Sequence, residues 1–202
     1  MITLDDLLEN KENLDDLAKD LTKEDIKFLV ELLNEKNDEI RYAAFLTLKS
    51  RSKLQNDVYD YFEVFEKKLI SENSYQRSLG IMLLAENVRW DQENEFNDVI
   101  DAYLVHTDDE KFITARQTIQ SINEWIAFKQ DLFNSVINKL LSIDIQKRKD
   151  SQRKLLLMDI LTVLSTINKI EHFDKITEYV STALTGAMLD AKSIKQVKNM
   201  FN

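Results

Sequence analysis

The stretch Phe28–Leu48, FLVELLNEKNDEIRYAAFLTL, decides the fold that the sequence predicts. Apolar residues recur at helical spacing up to Leu33, the polar run NEKND follows, and a second apolar face begins at Ile40. Two periodic segments on either side of a polar turn are typical of two helices joined by a short connection. We therefore expect a helical hairpin here, with Arg41 just inside the start of its second helix.

The composition favours helices along the whole chain. The 202 residues include no proline and two glycines, so the residues that usually form the turns of β-rich folds are scarce. They include no cysteine, which excludes disulfides, thiolate metal sites and cysteine nucleophiles. Hydrophobic residues make up 44% of the sequence, which is enough for a substantial core. These features predict an all-α protein that forms a single domain.

The formal charge of −9 is unevenly distributed. Residues 1–40 hold 5 lysines and 13 acidic residues, whereas residues 41–202 hold 22 basic and 23 acidic residues. The acidity therefore belongs to the N-terminal end, where it predicts solvated helix faces. The start, MITLDDLLEN, lacks the regions of a signal peptide, and no apolar run approaches the roughly 18 residues of a membrane span. We expect a cytoplasmic protein without a membrane partner.

Arginines recur at matching places in the predicted helices, each near the start of a helical segment that follows a polar turn. They are Arg41, Arg77, Arg116 and Arg153, at spacings of 36, 39 and 37 residues. Predicted partner helices lie between them, at Val58–Ile70, Glu95–Val105 and Leu132–Ile143. A two-helix unit that repeats at this period is the sequence signature of an α-solenoid.

The segment at residues 29–48 resembles a HEAT repeat. The resemblance is carried by LVELL at residues 29–33, by the acidic turn, by the Ile40-Arg41 pair and by the alanines at 43 and 44. It is weaker in the later segments, where Leu or Ile replaces the small residues. Membership of the HEAT-repeat, armadillo-like α-solenoid family would imply stacked helical pairs with the second helices on the concave side.

This resemblance implies an organisation for the whole chain. Residues 1–22 are expected to form an N-terminal cap, residues 23–169 four HEAT-like repeats, and residues 170–202 a C-terminal helical pair or cap. The complete fold is expected to be a right-handed α-α superhelix of about five helical pairs. Each pair would bury its apolar stripe against the next.

Two sets of basic residues are candidates for function. The arginine series is predicted to be structural, each guanidinium bonding Asp or carbonyl groups of its own or the neighbouring repeat, as in the Arg ladder of similar HEAT proteins. Exposure to a ligand is the alternative. The run Lys147, Arg148 and Lys149, at a predicted turn, is either a phosphate contact or a solvated turn.

Trp90 and Trp125 suggest a second resemblance, to a family of DNA repair enzymes. HEAT-like DNA glycosylases that remove alkylated bases are built from similar repeats and use Trp, Asp and Arg on their concave face. The two tryptophans here occupy different repeat positions, and their surroundings are not notably basic, so packing at helix ends or in the core is the main prediction. No residue of that family's catalytic motif can be matched.

The sequence contains no recognisable catalytic constellation. Gly80 and Gly186 are isolated, so no glycine-rich phosphate loop exists, and no HExxH or similar metal motif is present. We predict no catalytic residue, cofactor or metal. The leading hypothesis is a non-enzymatic protein–protein interaction scaffold that binds a protein or peptide partner on an extended helical-repeat surface. The alternative is nucleic-acid binding or DNA repair of the glycosylase-like kind.

Overall fold

The computed structural model describes residues 2–9 and 13–201. The regular structure of these residues is entirely helical, which confirms the all-α prediction. Twelve α-helices lie in the described residues: Leu4–Glu9 (α1), Leu14–Leu17 (α2), Lys23–Leu32 (α3), Asp38–Leu54 (α4), Phe62–Leu69 (α5), Ser74–Asn87 (α6), Glu95–Leu104 (α7), Phe112–Trp125 (α8), Phe133–Leu141 (α9), Asp150–Ile170 (α10), Asp174–Thr185 (α11) and Ala191–Phe201 (α12).

The predicted hairpin corresponds to α3 and α4. The structure extends the second helix to Leu54 and begins α5 only at Phe62, because residues 59–61 form a 3-10 turn. The superhelical arrangement, the number of helical pairs and the single-domain organisation stay predictions. The predicted caps include residues 1, 10–12 and 202, which lie outside the described residues.

Polar side chains start several helices in this chain that lacks proline. At α3, the Thr22 hydroxyl accepts the backbone N–H of Asp25 at 3.3 Å, and the Asp25 carboxylate accepts that of Thr22 at 2.9 Å. Asn37 and Asn73 cap α4 and α6, and each amide oxygen accepts a backbone N–H two residues later at 2.9 Å. These bonds satisfy N–H groups that a helix start leaves without partners.

The chain divides into two compact units, residues 1–96 (unit 1) and residues 97–202 (unit 2). In unit 1, α4 packs against α3, against α6 and against the short helices α1 and α2, while α5 packs along α6. In unit 2, α10 packs against both α8 and α12. Each unit has its own core, with Phe65 and Leu48 fully buried in the first and Trp125 and Phe133 buried in the second.

Gly80 sets how closely α5 and α6 approach each other. A Cβ atom at this position would lie 2.6 Å from the carbonyl oxygen of Phe65 and 2.7 Å from the Cβ of Lys68. The oxygen belongs to the backbone of α5, so it cannot move away without displacing that helix. Gly80 aligns with the fully buried Ala44 of α4, as the repeat pattern indicates. A small residue is therefore required at this contact.

We predict that Gly80→Ala destabilises the protein by about 1–3 kcal/mol through overpacking, even though alanine favours helices by about 1 kcal/mol. Urea unfolding measures the difference. Gly186→Ala is the matched control, since that glycine is exposed and its nearest new contact would be the Thr182 carbonyl at 3.2 Å. A Gly80→Ala variant as stable as the native protein would contradict the proposed close contact.

Candidate functional site

Arg41, the first arginine of the series, lies at the start of α4 with 12% of its side chain exposed. Its Nη1 donates to the carbonyl of Glu35 at 2.6 Å, in the turn that precedes α4. Its Nη2 pairs with the Asp38 carboxylate. The guanidinium carbon also lies 4.3 Å from the ring centroid of Tyr75. Arg41 therefore binds its own turn and stacks on the first turn of α6.

Arg77 and Arg153 bind turn carbonyls in a similar way. Arg77 Nη1 donates to two consecutive carbonyls before α6, the nearer being that of Ser71 at 2.8 Å. Before α10, Arg153 donates from Nε to the carbonyl of Arg148 at 2.9 Å and from Nη2 to that of Gln146 at 2.8 Å. In both places the guanidinium satisfies carbonyls of the connection that leads into its own helix.

Arg116 has a different partner from the other three arginines. Its Nε and Nη2 lie 2.5 and 3.1 Å from the two carboxylate oxygens of Asp159, which is a residue of α10. The Gln120 amide donates to the same carboxylate at 2.9 Å. Hydrogen bonding to Asp159 raises the pKa of Arg116 further above its usual value. Arg116 therefore connects two neighbouring helices instead of holding a turn.

The turn before α8 is bound by Arg148 instead. Its Nη1 donates to the carbonyl of Asp109 at 2.8 Å, and its Nη2 lies 2.6 Å from the Asp108 carboxylate. Only 11% of the Arg148 side chain is exposed, whereas the neighbouring Lys147 and Lys149 are exposed. The middle member of the basic run thus has a contact inside unit 2, and only the two lysines face solvent.

The two tryptophans differ in accessibility. Trp125 is fully buried and meets the ring of Tyr103 edge-on, with centroids 5.9 Å apart. It has no exposed face on which a nucleic-acid base could stack. Trp90 is half-buried in the 3-10 turn that follows α6, and its indole N–H donates to the carbonyl of Ser52 at 2.7 Å. Both side chains contribute to packing or hydrogen bonding within their own unit.

A charged cluster that sequence reasoning missed lies next to Trp90, between α4 and α6. Glu86 is fully buried, with its carboxylate oxygens 3.3 Å from Lys49 Nζ, 3.8 Å from Lys53 Nζ and 3.3 Å from Arg89 Nη2. We call Lys49, Lys53, Glu86 and Arg89 the Glu86 cluster. Three cations therefore converge on one buried carboxylate. A sequence signal existed, because Glu86 interrupts the apolar run of α6.

Arg51 is the second residue that the repeat pattern did not reveal. It is 4% exposed and lies in the last turn of α4, away from the helix starts where the series occurs. Its guanidinium donates to the carbonyls of Ala18 at 3.0 Å, Lys19 at 2.7 Å and Leu21 at 3.2 Å. It also bonds the Asp57 carboxylate at 2.7 Å. Arg51 therefore attaches the N-terminal segment to α4.

We predict that Arg51→Met lowers the free energy of unfolding by about 3–5 kcal/mol, because it leaves Asp57 partly buried without its cation and three carbonyls without their donor. Chemical denaturation provides the measurement. Lys67→Met, which removes an exposed pair with Glu63, is expected to change stability by less than about 0.5 kcal/mol. Equal effects of the two substitutions would show that the Arg51 contacts are not stabilising.

Each unit has an open pocket among the described residues. The pocket in unit 1 has a volume of about 340 Å³ and lies beside α5. The pocket in unit 2 has a volume of about 370 Å³ and is lined by residues that include Asp101 and Lys139. Within residues 2–9 and 13–201 no group of three or more His, Asp or Glu side chains could hold a metal ion. No helix in that part of the chain is both long and apolar enough to cross a membrane.

No family model, no curated protein and no solved structure matches the chain. The HEAT resemblance at residues 29–48 therefore rests on the sequence pattern, and family membership stays a prediction. Function has to be inferred from the side chains and surfaces of the two units.

Proposed function

We propose that the chain is a cytoplasmic, non-enzymatic scaffold that binds a protein or peptide partner. The observation that carries this proposal is the exposure of two large apolar side chains at the starts of neighbouring helices in unit 2. Ile113 at the start of α8 is 62% exposed, and Leu155 near the start of α10 is 41% exposed. Together with the half-buried Phe112 they form what we call the unit 2 patch.

Hydrogen bonds along the seam between α8 and α10 place the patch at one end of that seam. Arg116 bonds Asp159, and further along the helices the Thr166 hydroxyl donates to the Asn123 amide oxygen at 2.8 Å. The two helices therefore run side by side in the same direction. Ile113 precedes Arg116 by three residues and Leu155 precedes Asp159 by four, so both apolar side chains lie about one turn before the ion pair.

The side chains around the unit 2 patch are of types that are common in protein–protein interfaces. The ring of Phe112 lies 5.9 Å from the Arg116 guanidinium, and aromatic and arginine side chains are frequent among residues that dominate binding energy in protein interfaces. Burying apolar surface there would contribute roughly 25 cal/mol per Å². Nearby charges are internally paired, as with Arg153 and Asp150 at 2.6 Å. Such pairs would form a polar rim around an apolar centre.

The charge balance of unit 2 favours protein over nucleic acid as the partner. Residues 97–202 hold 14 basic and 14 acidic residues, so the formal charge of the whole chain resides in unit 1. Nucleic-acid binding depends on neutralising several phosphates with lysine and arginine. In unit 2, Arg116, Arg148 and Arg153 already have carboxylate partners.

We predict that the double variant Ile113→Asp, Leu155→Asp loses the partner protein that the native chain retains in a pull-down from native cell extract. Both positions are exposed, so circular dichroism should report an unchanged helical fold. The control is Ile70→Asp, at a side chain that is 85% exposed but lies in unit 1. The proposal fails if every co-purifying protein is retained by the double variant, or if the purified chain has a catalytic turnover that depends on a named side chain.

Nucleic-acid binding is the second candidate, and the Glu86 cluster is the observation that favours it. Lys49, Lys53 and Arg89 converge beside the half-buried Trp90 in unit 1. Binding through these cations would weaken steeply with added salt and would be reduced by Lys49→Met with Lys53→Met. An absence of detectable binding to duplex or alkylated DNA at low salt would remove this candidate.

A further inference from the structure

The last turn of α5 contains a buried cation, Lys68. The residue is 8% exposed. Its ammonium donates to the amide oxygens of Asn34 at 2.9 Å and Gln76 at 2.5 Å. Both acceptors are neutral, and an ammonium has three N–H donors. One donor of Lys68 therefore has no protein acceptor among the described residues.

Lys68 differs from the largely buried arginines Arg51 and Arg148 because no described carboxylate is its counter-ion. Arg51 pairs with Asp57 and Arg148 pairs with Asp108, but no described carboxylate pairs with Lys68. Burial, and then the charge of Arg41, lower the pKa of Lys68. A buried charge without an opposite charge is unfavourable. No described carboxylate therefore balances the charge of Lys68.

Arg41, whose charge acts on Lys68, has a second unused donor. Its Nη1 and Nη2 have partners in the turn before α4, but its Nε is buried and has no hydrogen-bond partner. Its charge is close enough to lower the pKa of Lys68. The region thus combines two cations with spare hydrogen-bond donors.

Lys68 and its two amide acceptors border the open pocket of about 340 Å³ in unit 1. The pocket is lined by Asn34, Val64, Lys67, Lys68, Ser71 and Gln76. This lining contains two lysines, one hydroxyl and two amides, but no carboxylate. An oxyanion in such a pocket would accept hydrogen bonds and meet no negative charge from the lining.

We propose that this pocket, the Lys68 pocket, binds a compact oxyanion, a carboxylate or a phosphate, through the ammonium of Lys68. The anion would accept the third N–H of Lys68 and balance its charge. This inference is independent of the partner proposed for unit 2, because it concerns residues of unit 1 only. Its failure would leave the scaffold proposal unaffected.

The test is thermal unfolding of the full chain in inorganic phosphate, in acetate and in chloride at constant ionic strength and pH. The expected result is a melting temperature that rises by about 3–6 °C above the chloride value when an oxyanion is present at ten times its Kd. Lys68→Met should abolish this rise, whereas Lys27→Met, which removes an exposed lysine of α3, should retain it. A rise in phosphate alone, in acetate alone or in both identifies the group that is bound.

Asn34→Asp provides a second, nearly isosteric variant. It would place a carboxylate at the position whose oxygen now lies 2.9 Å from the Lys68 ammonium. The variant should melt at a higher temperature than the native protein in chloride and should lose the response to the oxyanion. Two results would overturn the proposal: equal melting temperatures of the native protein in all three salts, or a response that Lys68→Met retains.

Discussion

Hydrogen bonds from guanidinium groups to the carbonyls between helices are the interaction on which the rest of this structure depends. A helix end leaves several carbonyls without partners, and glycine commonly shapes that end so that the backbone satisfies them. This chain has only two glycines, so it needs other donors. Arg77 and Arg153 supply them before α6 and α10, and Arg51 does so for the N-terminal segment. Because one guanidinium carries five N–H donors, a single side chain can hold several carbonyls.

Structural residues differ from candidate binding residues in whether their buried charge has an oppositely charged partner. Arg51, Arg148 and Glu86 are largely buried, and each has an oppositely charged partner within its unit. Their charges are satisfied without a ligand, which leaves apolar exposure, as at Ile113, as the stronger indication of a partner surface. Lys68 differs from these three residues, since its two partners are neutral amide oxygens. The same physical criterion therefore distinguishes residues that stabilise the fold from Lys68, the proposed anion-binding residue.

The sequence predicted the helical class and the hairpin at residues 28–48, because apolar periodicity and capping residues are local signals. It located the arginine series but not the partner of Arg116. Sequence spacing gives the position of a residue along its helix, but it does not give the group that the side chain contacts. The turn before α8 is bound by Arg148, a residue 39 positions away from the carbonyl that it binds. The sequence could indicate that Lys68 is buried, because this residue lies three residues after Phe65 on the apolar face of α5. Whether a carboxylate pairs with it depends on tertiary packing.

The central claim is that the arginines of the series are structural and that all of them except Arg116 hold the turns before their helices. The most direct test is the free energy of unfolding of Arg77→Met, which keeps most of the aliphatic stem but removes the donors to the two carbonyls before α6. The predicted result is a loss of about 1.5–3 kcal/mol, the contribution typical of hydrogen bonds that involve a charged group. A variant with the stability of the native protein would contradict the structural role and would favour ligand binding by the arginines.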